Sequence, residues 1–215
     1  MINAVLIDYG SGNLRSAAKA FERAASEAGL AAKITVSGTP GSLDQATHIV
    51  LPGVGAFADC LGGLEAVPGM RDALEINVRE RGKPFLGICV GMQLMARIGR
   101  EHGDRPGFGW IDGQVVPISP SDPALKIPHM GWNNLDFSPG AHAVLEGLAP
   151  GTHAYFVHSY HFAVADPADG LAEIDYGGPI AALIGRDNLL GTQFHPEKSQ
   201  RAGLRFLENF LHWRP

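Results

Sequence analysis

The sequence predicts an α/β fold: a central, mostly parallel sheet flanked by helices, with extra antiparallel strands in the C-terminal half. Three observations carry this reading. Over roughly the first 100 residues, short apolar runs ending in glycine-rich loops alternate with segments of helical periodicity, in the order β-α-β-loop-α-β-α. That alternation requires parallel strands with helices on both faces. Beyond Gly99 the character changes to short β-like runs separated by Gly and Pro, as in antiparallel additions to a sheet. Between the two regimes, Lys83 to Gln93 reads as a buried strand that passes through Gly-x-Cys-x-Gly into the first turn of a helix.

The elements follow in order. Residues 2–7 form an apolar run ending at Asp8, suited to a buried parallel strand. Asp8 to Asn13 is a glycine-rich loop. A helix follows with Leu14, Ala17, Ala18, Phe21, Ala24, Ala25 and Ala28 on one face and Gly29 as its stop. Ala32 to Val36 and His48 to Leu51 read as strands, the second ending in the loop Pro52-Gly53-Val54-Gly55. Helical sequence fills 57–81, interrupted at Pro68-Gly69. The strand Pro84 to Ile88 leads through Cys89 into a helix expected to reach about Ile98, closed by Gly99. Later strands are expected at Gly113 to Ile118, His153 to Phe162, Leu171 to Tyr176, Ile180 to Arg186 and Leu189 to Phe194. Ser199 is placed to cap a last helix whose apolar side is Phe206, Leu207, Phe210 and Leu211. No repeat, low-complexity segment or long linker divides the chain, so residues 1–215 read as one domain.

Composition narrows the function. Hydrophobic residues at 45% and charged residues at 18% describe an ordinary globular chain with a full core. The formal net charge of −5, with no basic run and no aromatic–basic interleaving, argues against nucleic acid. The N-terminus lacks the basic region and cleavage site of a signal peptide, and no apolar run approaches the ~18 residues of a membrane span. Cys60 and Cys89 lie in unrelated contexts and do not look like a disulfide framework, so a reducing, cytoplasmic setting is expected.

The chemistry centres on Cys89. Gly87-Ile88-Cys89-Val90-Gly91 has the layout of a Gly-x-Ser-x-Gly nucleophile elbow with sulfur in place of oxygen. The flanking glycines leave room for a sharp strand-to-helix turn. A helix N-terminus and a nearby imidazolium both favour a thiolate. His195 is the candidate base. In His195-Pro196-Glu197 a carboxylate lies two residues from the imidazole and can hold one ring nitrogen, leaving the other for a thiol. With His195 as the base, activity should fall below roughly pH 6, near the ordinary imidazole pKa. An oxyanion hole would take one donor from the Val90 N–H and a second from the Val54 peptide, which glycines on both sides free to turn.

Other conspicuous residues read more plainly. Cys60 has no activating neighbour and is expected to pack. His158 would face opposite to His153 and His161 on one strand, so a structural or substrate-side role is expected rather than a metal site. The Asp8 to Asn13 loop lacks both the dinucleotide Gly-x-Gly-x-x-Gly and the Walker lysine, and reads as a turn at a strand end.

Gly-Ile-Cys-Val-Gly-Met-Gln with a distant His-Pro-Glu resembles the class I, or triad, glutamine amidotransferases. Five further stretches are similar to the glutaminase subunits of imidazole glycerol phosphate synthases: Asp8 to Asn13, Leu51 to Phe57, Ile127 to Asn133, Tyr155 to Tyr160 and Gly191 to Ser199. The resemblance spans position 2 to about 211, and Pro128-His129-Met130-Gly131-Trp132-Asn133 is its most discriminating part. It implies the flavodoxin-like fold of that class and a Cys89–His195–Glu197 triad that splits glutamine into glutamate and ammonia without a cofactor. It implies that Gln93, Ser159 and Tyr160, with Gly53 and Gly55, hold the amino-acid end of glutamine. It further implies a heterodimer with a separate (β/α)8-barrel cyclase subunit, which receives the ammonia to make imidazole glycerol phosphate and aminoimidazole carboxamide ribotide in histidine biosynthesis. Asn13, His129, Met130, Trp132, Asn133 and Lys198 are the residues expected at that interface. A glutaminase feeding another synthase, or a cysteine hydrolase or peptidase of the same fold, is the alternative.

Overall fold

The computed structural model describes residues 1–215. Along the first half run β1 (Ile2–Ile7), α1 (Leu14–Glu27), β2 (Ala32–Ser37), β3 (His48–Gly53), α2 (Phe57–Glu65), α3 (Met70–Leu74), β4 (Phe85–Cys89) and α4 (Val90–Gln93). The second half adds β5 (Ile98–Gly99), β6 (Arg105–Pro106), β7 (Gly113–Pro117), β8 (His129–Asn134), β9 (His153–His158), β10 (Tyr160–Val164), β11 (Gly170–Asp175), β12 (Pro179–Arg186), β13 (Leu189–Thr192) and α5 (Gln200–His212).

A seven-stranded sheet, ordered β11-β12-β13-β4-β3-β1-β2, forms the centre. From β13 to β2 every neighbouring pair is parallel, and β12 and β11 extend that sheet antiparallel at one edge. All of β3, β4 and β13 is buried, as strands covered on both faces must be. This explains their uninterrupted apolar runs. α1 and α5 pack together, with Phe21 edge-on to Phe210 at a ring separation of 6.2 Å. A second sheet, β10-β7-β5-β6, and the antiparallel pair β8-β9 are built from the chain that follows α4. One contiguous set of 57 buried apolar residues ties these layers together. No helix is long and apolar enough to cross a membrane.

Several elements differ from the sequence expectation. The elbow helix does not reach Ile98; it is the single turn α4. The carbonyls that would continue it are taken elsewhere: Phe108 N–H bonds Leu94, Trp110 N–H bonds Met95 and Gly109 N–H bonds Ala96. Ile98 and Gly99 then pair with β6 and β7 instead. The expected strand His153 to Phe162 breaks at Ser159 and joins two sheets, β9 pairing with β8 and β10 with β7. A period-two pattern runs straight through such a change of partner and cannot show it. β8 itself escaped prediction because Gly131 and two asparagines mask its alternation. Ser199 precedes α5 but does not cap it. Its hydroxyl donates to the His195 carbonyl (2.7 Å) and receives the Tyr155 N–H (3.0 Å), stitching the His195 segment to β9.

Candidate active site

The site forms where the C-terminal ends of β3, β4 and β13 meet, the crevice expected of an open parallel sheet. Cys89 ends β4 with φ 54° and ψ −110°, a region that side chains adopt only under constraint. The constraint is visible. A Cβ on Gly91 would collide with the Leu51 carbonyl on β3, and one on Gly87 with the Gly91 backbone. Only glycines allow β4 and α4 to cross this closely, and the crossing turns Cys89 outward.

His195 follows β13. Its Nδ1 donates to Glu197 Oε1 at 2.9 Å, with both side chains almost fully buried. Its Nε2 is buried with no hydrogen-bond partner, and Cys89 is the group that acts on it most strongly. Burial disfavours the imidazolium, but Cys89 and then Glu197 outweigh it and raise the pKa of His195 to about 10. His195 is thus held above the range near pH 6 expected of a free imidazole. α4 is a single turn, too short for a helix dipole to be the main influence on the Cys89 sulfur.

A cavity of about 310 Å3 opens over Cys89. Val90, Gln93, His195, Val54, Gly55, Ser159 and Tyr160 all line it, so the structure gathers most of the sequence-derived site in one place. Gly53 does not line it. It is packed under the site, where a Cβ would press on the Gly91 nitrogen and on Val90. Glu197 stands behind His195. Three residues missed in the sequence, Glu101, Pro128 and Val157, complete the wall together with His158. Glu101 lies in a short turn with no pattern to mark it. Its Oε2 receives the Phe57 N–H at 2.7 Å, which ties the β5–β6 turn to the start of α2.

The Val54 N–H is not aimed at Cys89. It donates to Ser11 Oγ (3.3 Å), and the Val54 carbonyl, in the next peptide, receives the hydroxyl of Ser11 (2.8 Å) and the thiol of Cys60 (3.3 Å). Cys60 therefore does more than pack. Burial pushes its thiol pKa up, so it remains a neutral donor. Tyr9 reinforces the loop by donating its hydroxyl to the Pro52 carbonyl at 2.8 Å.

The expected interface residues divide by strand parity. On β8, Met130 and Trp132 point outward, 63% and 46% exposed. Trp132 stands edge-on to Tyr155, and the Lys198 ammonium lies 5.5 Å from the same Tyr155 ring, a cation–π arrangement. Asn13 is exposed at the start of α1. His129 is a correction. Alternation turns it inward, 3% exposed, against Phe156 and Tyr176, so it cannot belong to an outer surface. Asn133 shares its parity and donates to the Asp175 carbonyl at 3.0 Å. His158 Nδ1 donates to the Tyr160 carbonyl (2.9 Å), so its Nε2 must accept from His129 Nδ1 (3.0 Å). Burial lowers the pKa of both histidines to about 4. His153 is exposed, so the three strand histidines do not converge.

Comparison with known proteins adds to this geometry. The family model "Glutamine amidotransferase class-I" matches residues 5–213. The chain is 62% identical over 214 residues to the imidazole glycerol phosphate synthase subunit HisH of Rhodospirillum rubrum, covering 100% of each chain. It is 57% identical over 211 residues to the protein of the same name from Cereibacter sphaeroides, covering 98% and 99%. Among solved structures, one glutamine amidotransferase superposes with a TM-score of 0.70 at 20% identity, covering 98% of this chain and 99% of the other. A putative GMP synthase component from Thermoplasma acidophilum gives 0.67 at 21% identity, covering 99% and 93%. At such identities the structural likeness is one of fold.

Proposed function

The chain belongs to the class I glutamine amidotransferases, among the HisH subunits of imidazole glycerol phosphate synthase, and on that premise we propose how its residues release ammonia from glutamine for a partner protein. The observation that carries the mechanism is the buried His195 imidazole, held on Nδ1 by Glu197 and left with Nε2 beside Cys89.

The Cys89 thiolate attacks the side-chain amide carbon of glutamine. The Val90 N–H receives the developing oxyanion. His195 Nε2–H protonates the leaving nitrogen, ammonia departs, and a glutamyl thioester remains on Cys89. Water, deprotonated by the now neutral His195, releases glutamate and restores the thiolate–imidazolium pair. Glu197 keeps the imidazole in the tautomer this exchange needs.

The cavity lining suits an amino acid. Glu101 offers a carboxylate for the α-ammonium, and the Gln93 carboxamide lines the same cavity. Ser159 and Tyr160 supply polar groups for the α-carboxylate, with Gly55 allowing close approach. The second oxyanion donor must come from Val54, and its N–H is engaged by Ser11. Full activity therefore requires that peptide to turn, and docking of the partner is the event that turns it. The partner is a cyclase subunit with a (β/α)8 barrel, meeting the face that carries Met130, Trp132, Asn13 and Lys198. It uses the ammonia to form imidazole glycerol phosphate and aminoimidazole carboxamide ribotide. A one-to-one heterodimer in a reducing, cytoplasmic setting fits this role.

The test is synthesis by the complex of this chain with its cyclase subunit. Cys89→Ala should abolish synthesis from glutamine and leave synthesis from added ammonia intact. Retained glutamine-dependent synthesis would overturn the assignment of the nucleophile.

A further inference from the structure

Gln193 follows β13, two residues before His195, and is fully buried. Nothing in the triad requires a carboxamide there. Its Nε2 lies 3.7 Å from Cys89 Sγ and its Oε1 lies 3.0 Å from Gln93 Nε2. A carboxamide can be turned end for end, so the direction of these bonds needs an independent anchor. The Tyr160 carbonyl provides it. β10 is an edge strand, and on its inner side Ser159 already receives the Ile118 N–H. By the alternation of an antiparallel ladder, the carbonyl of the next residue, Tyr160, faces away from β7. It meets Gln93 at 3.0 Å there. A carbonyl only accepts, so the Gln93 atom facing it is the amide nitrogen. That nitrogen in turn requires an oxygen from Gln193, which leaves the Gln193 N–H directed at the sulfur. The polarity of the whole chain is fixed by one backbone oxygen.

We propose that Gln193 is a hydrogen-bond donor to the reacting sulfur, which holds Cys89 as a thiolate aimed into the cavity and couples its position to Gln93. The inference rests on Cys89 being the nucleophile. A thiolate accepts several hydrogen bonds, whereas a thiol accepts weakly, so a fixed buried N–H favours the charged form. His195 supplies the opposite charge from one side and must leave its proton with the departing amine. Gln193 keeps its proton throughout, so it continues to orient the sulfur while His195 is neutral. Other ionisable groups surround this sulfur: Glu197 bonded to His195, buried Tyr9 and Cys60, and Glu101 and His158 on the wall of the same cavity. Tyr9 and Cys60 are pushed up by burial and His158 is pushed down, so all three are neutral near pH 7.

The experiment is the pH dependence of iodoacetamide alkylation of the full chain, read on the Cys89 peptide by mass spectrometry so that Cys60 does not contribute. Gln193→Glu keeps the shape and the acceptor for Gln93 but replaces the donor with a like charge. Gln193→Met keeps the volume and removes both bonds. The proposal expects the half-maximal pH to rise by about one unit in Gln193→Glu and by several tenths in Gln193→Met, with alkylation at pH 7 slowed roughly 5- to 10-fold in Gln193→Glu. A role in packing alone would lower the melting temperature and leave the profile in place. Profiles that superimpose on the parent's to within about 0.2 units in both variants would overturn the proposal. Failure of the underlying reading looks different: Cys89→Ser in the complex would still release glutamate from glutamine.

Discussion

Ser11 grips the Val54 residue at both ends, donating its hydroxyl to the carbonyl at 2.8 Å and receiving the N–H at 3.3 Å. The two residues follow different strands, β1 and β3, and the contact sets the direction of the Val54 N–H and carbonyl on the wall of the Cys89 cavity. Cys60 adds a second bond to the same carbonyl.

Loosening that grip should therefore release the peptide. In Ser11→Ala the Val54 N–H loses its partner, and the cost of turning it toward Cys89 falls by the worth of one or two partly exposed hydrogen bonds, about 1–2 kcal/mol. Glutamate release by the isolated chain should rise roughly 5- to 30-fold, with little change in the complex, where the proposed docking would already have turned the peptide. Unchanged or lower activity of the isolated chain would show that Ser11 does not restrain the site.

The charge state of His195 gives a pH prediction opposite to the one its residue type suggests. A folded pKa of about 10 lies above the unfolded value of 6.5, so the imidazolium and the stability it brings are fully present below pH 6.5 and are lost as pH rises through 10. Glutaminase kcat/KM in the complex should thus show no inflection between about pH 6 and 8 from this group, and should fall on the alkaline side as the imidazolium is lost. An inflection near pH 6.5 that disappears in Glu197→Gln would mean that His195 is neutral at rest.

Three buried histidines act in the other direction. His48, His129 and His158 have folded pKa values lowered to about 4 by burial, with the Arg214 charge also acting on His48. The unfolded chain binds protons there from about pH 6.5 downward and the folded chain does not until about pH 4, so stability falls as pH drops across that window. The loss should total a few kcal/mol, a large share of an ordinary protein's margin. His48 is the cleanest site to alter. It accepts from Arg214 at 2.9 Å and lies far from Cys89 in the fold, against Phe210. Urea unfolding of His48→Gln should show an acid slope shallower by about one proton than the parent's; an equal slope would mean that His48 is charged in the folded state.

The parallel core and the nucleophile were legible because the same residues serve both. Ile88 and Leu86 must be apolar to be buried on both faces, and Gly87 and Gly91 must lack a Cβ for β4 and α4 to cross, so fold and chemistry leave one signature. His195 and Glu197 were legible as neighbours in sequence. What was hidden depends on contacts between distant segments. α4 ends early because residues 107–111 return to take its carbonyls. Gln193 looked like any strand-end glutamine until the Tyr160 carbonyl, set by a change of sheets at Ser159, fixed its direction. His129 was misplaced because its strand went unrecognised, and without a strand there is no parity to separate it from Met130 and Trp132.

That parity also makes the outer face of β8 testable residue by residue. Trp132 and Met130 are large, apolar and exposed, on a strand held from behind by His129 and Asn133. Trp132 leans on Tyr155, whose ring also receives the Lys198 ammonium, so the three form a preorganised cluster next to the His195 segment. Preorganised aromatic anchors carry a disproportionate share of binding energy, about 2–4 kcal/mol when removed. Trp132→Ala should thus weaken binding of the cyclase partner roughly 30- to 1,000-fold by calorimetry. Met130→Ala should cost less, since a flexible thioether side chain is a poorer anchor. Neither change should appreciably lower the melting temperature of the free chain, because neither side chain is buried in it. His129→Ala is the contrast: it removes the donor to His158 and should destabilise the fold by about 1–3 kcal/mol before any effect on binding. Undiminished affinity in Trp132→Ala would place the partner on another face and would break the proposed link between docking and the Val54 peptide.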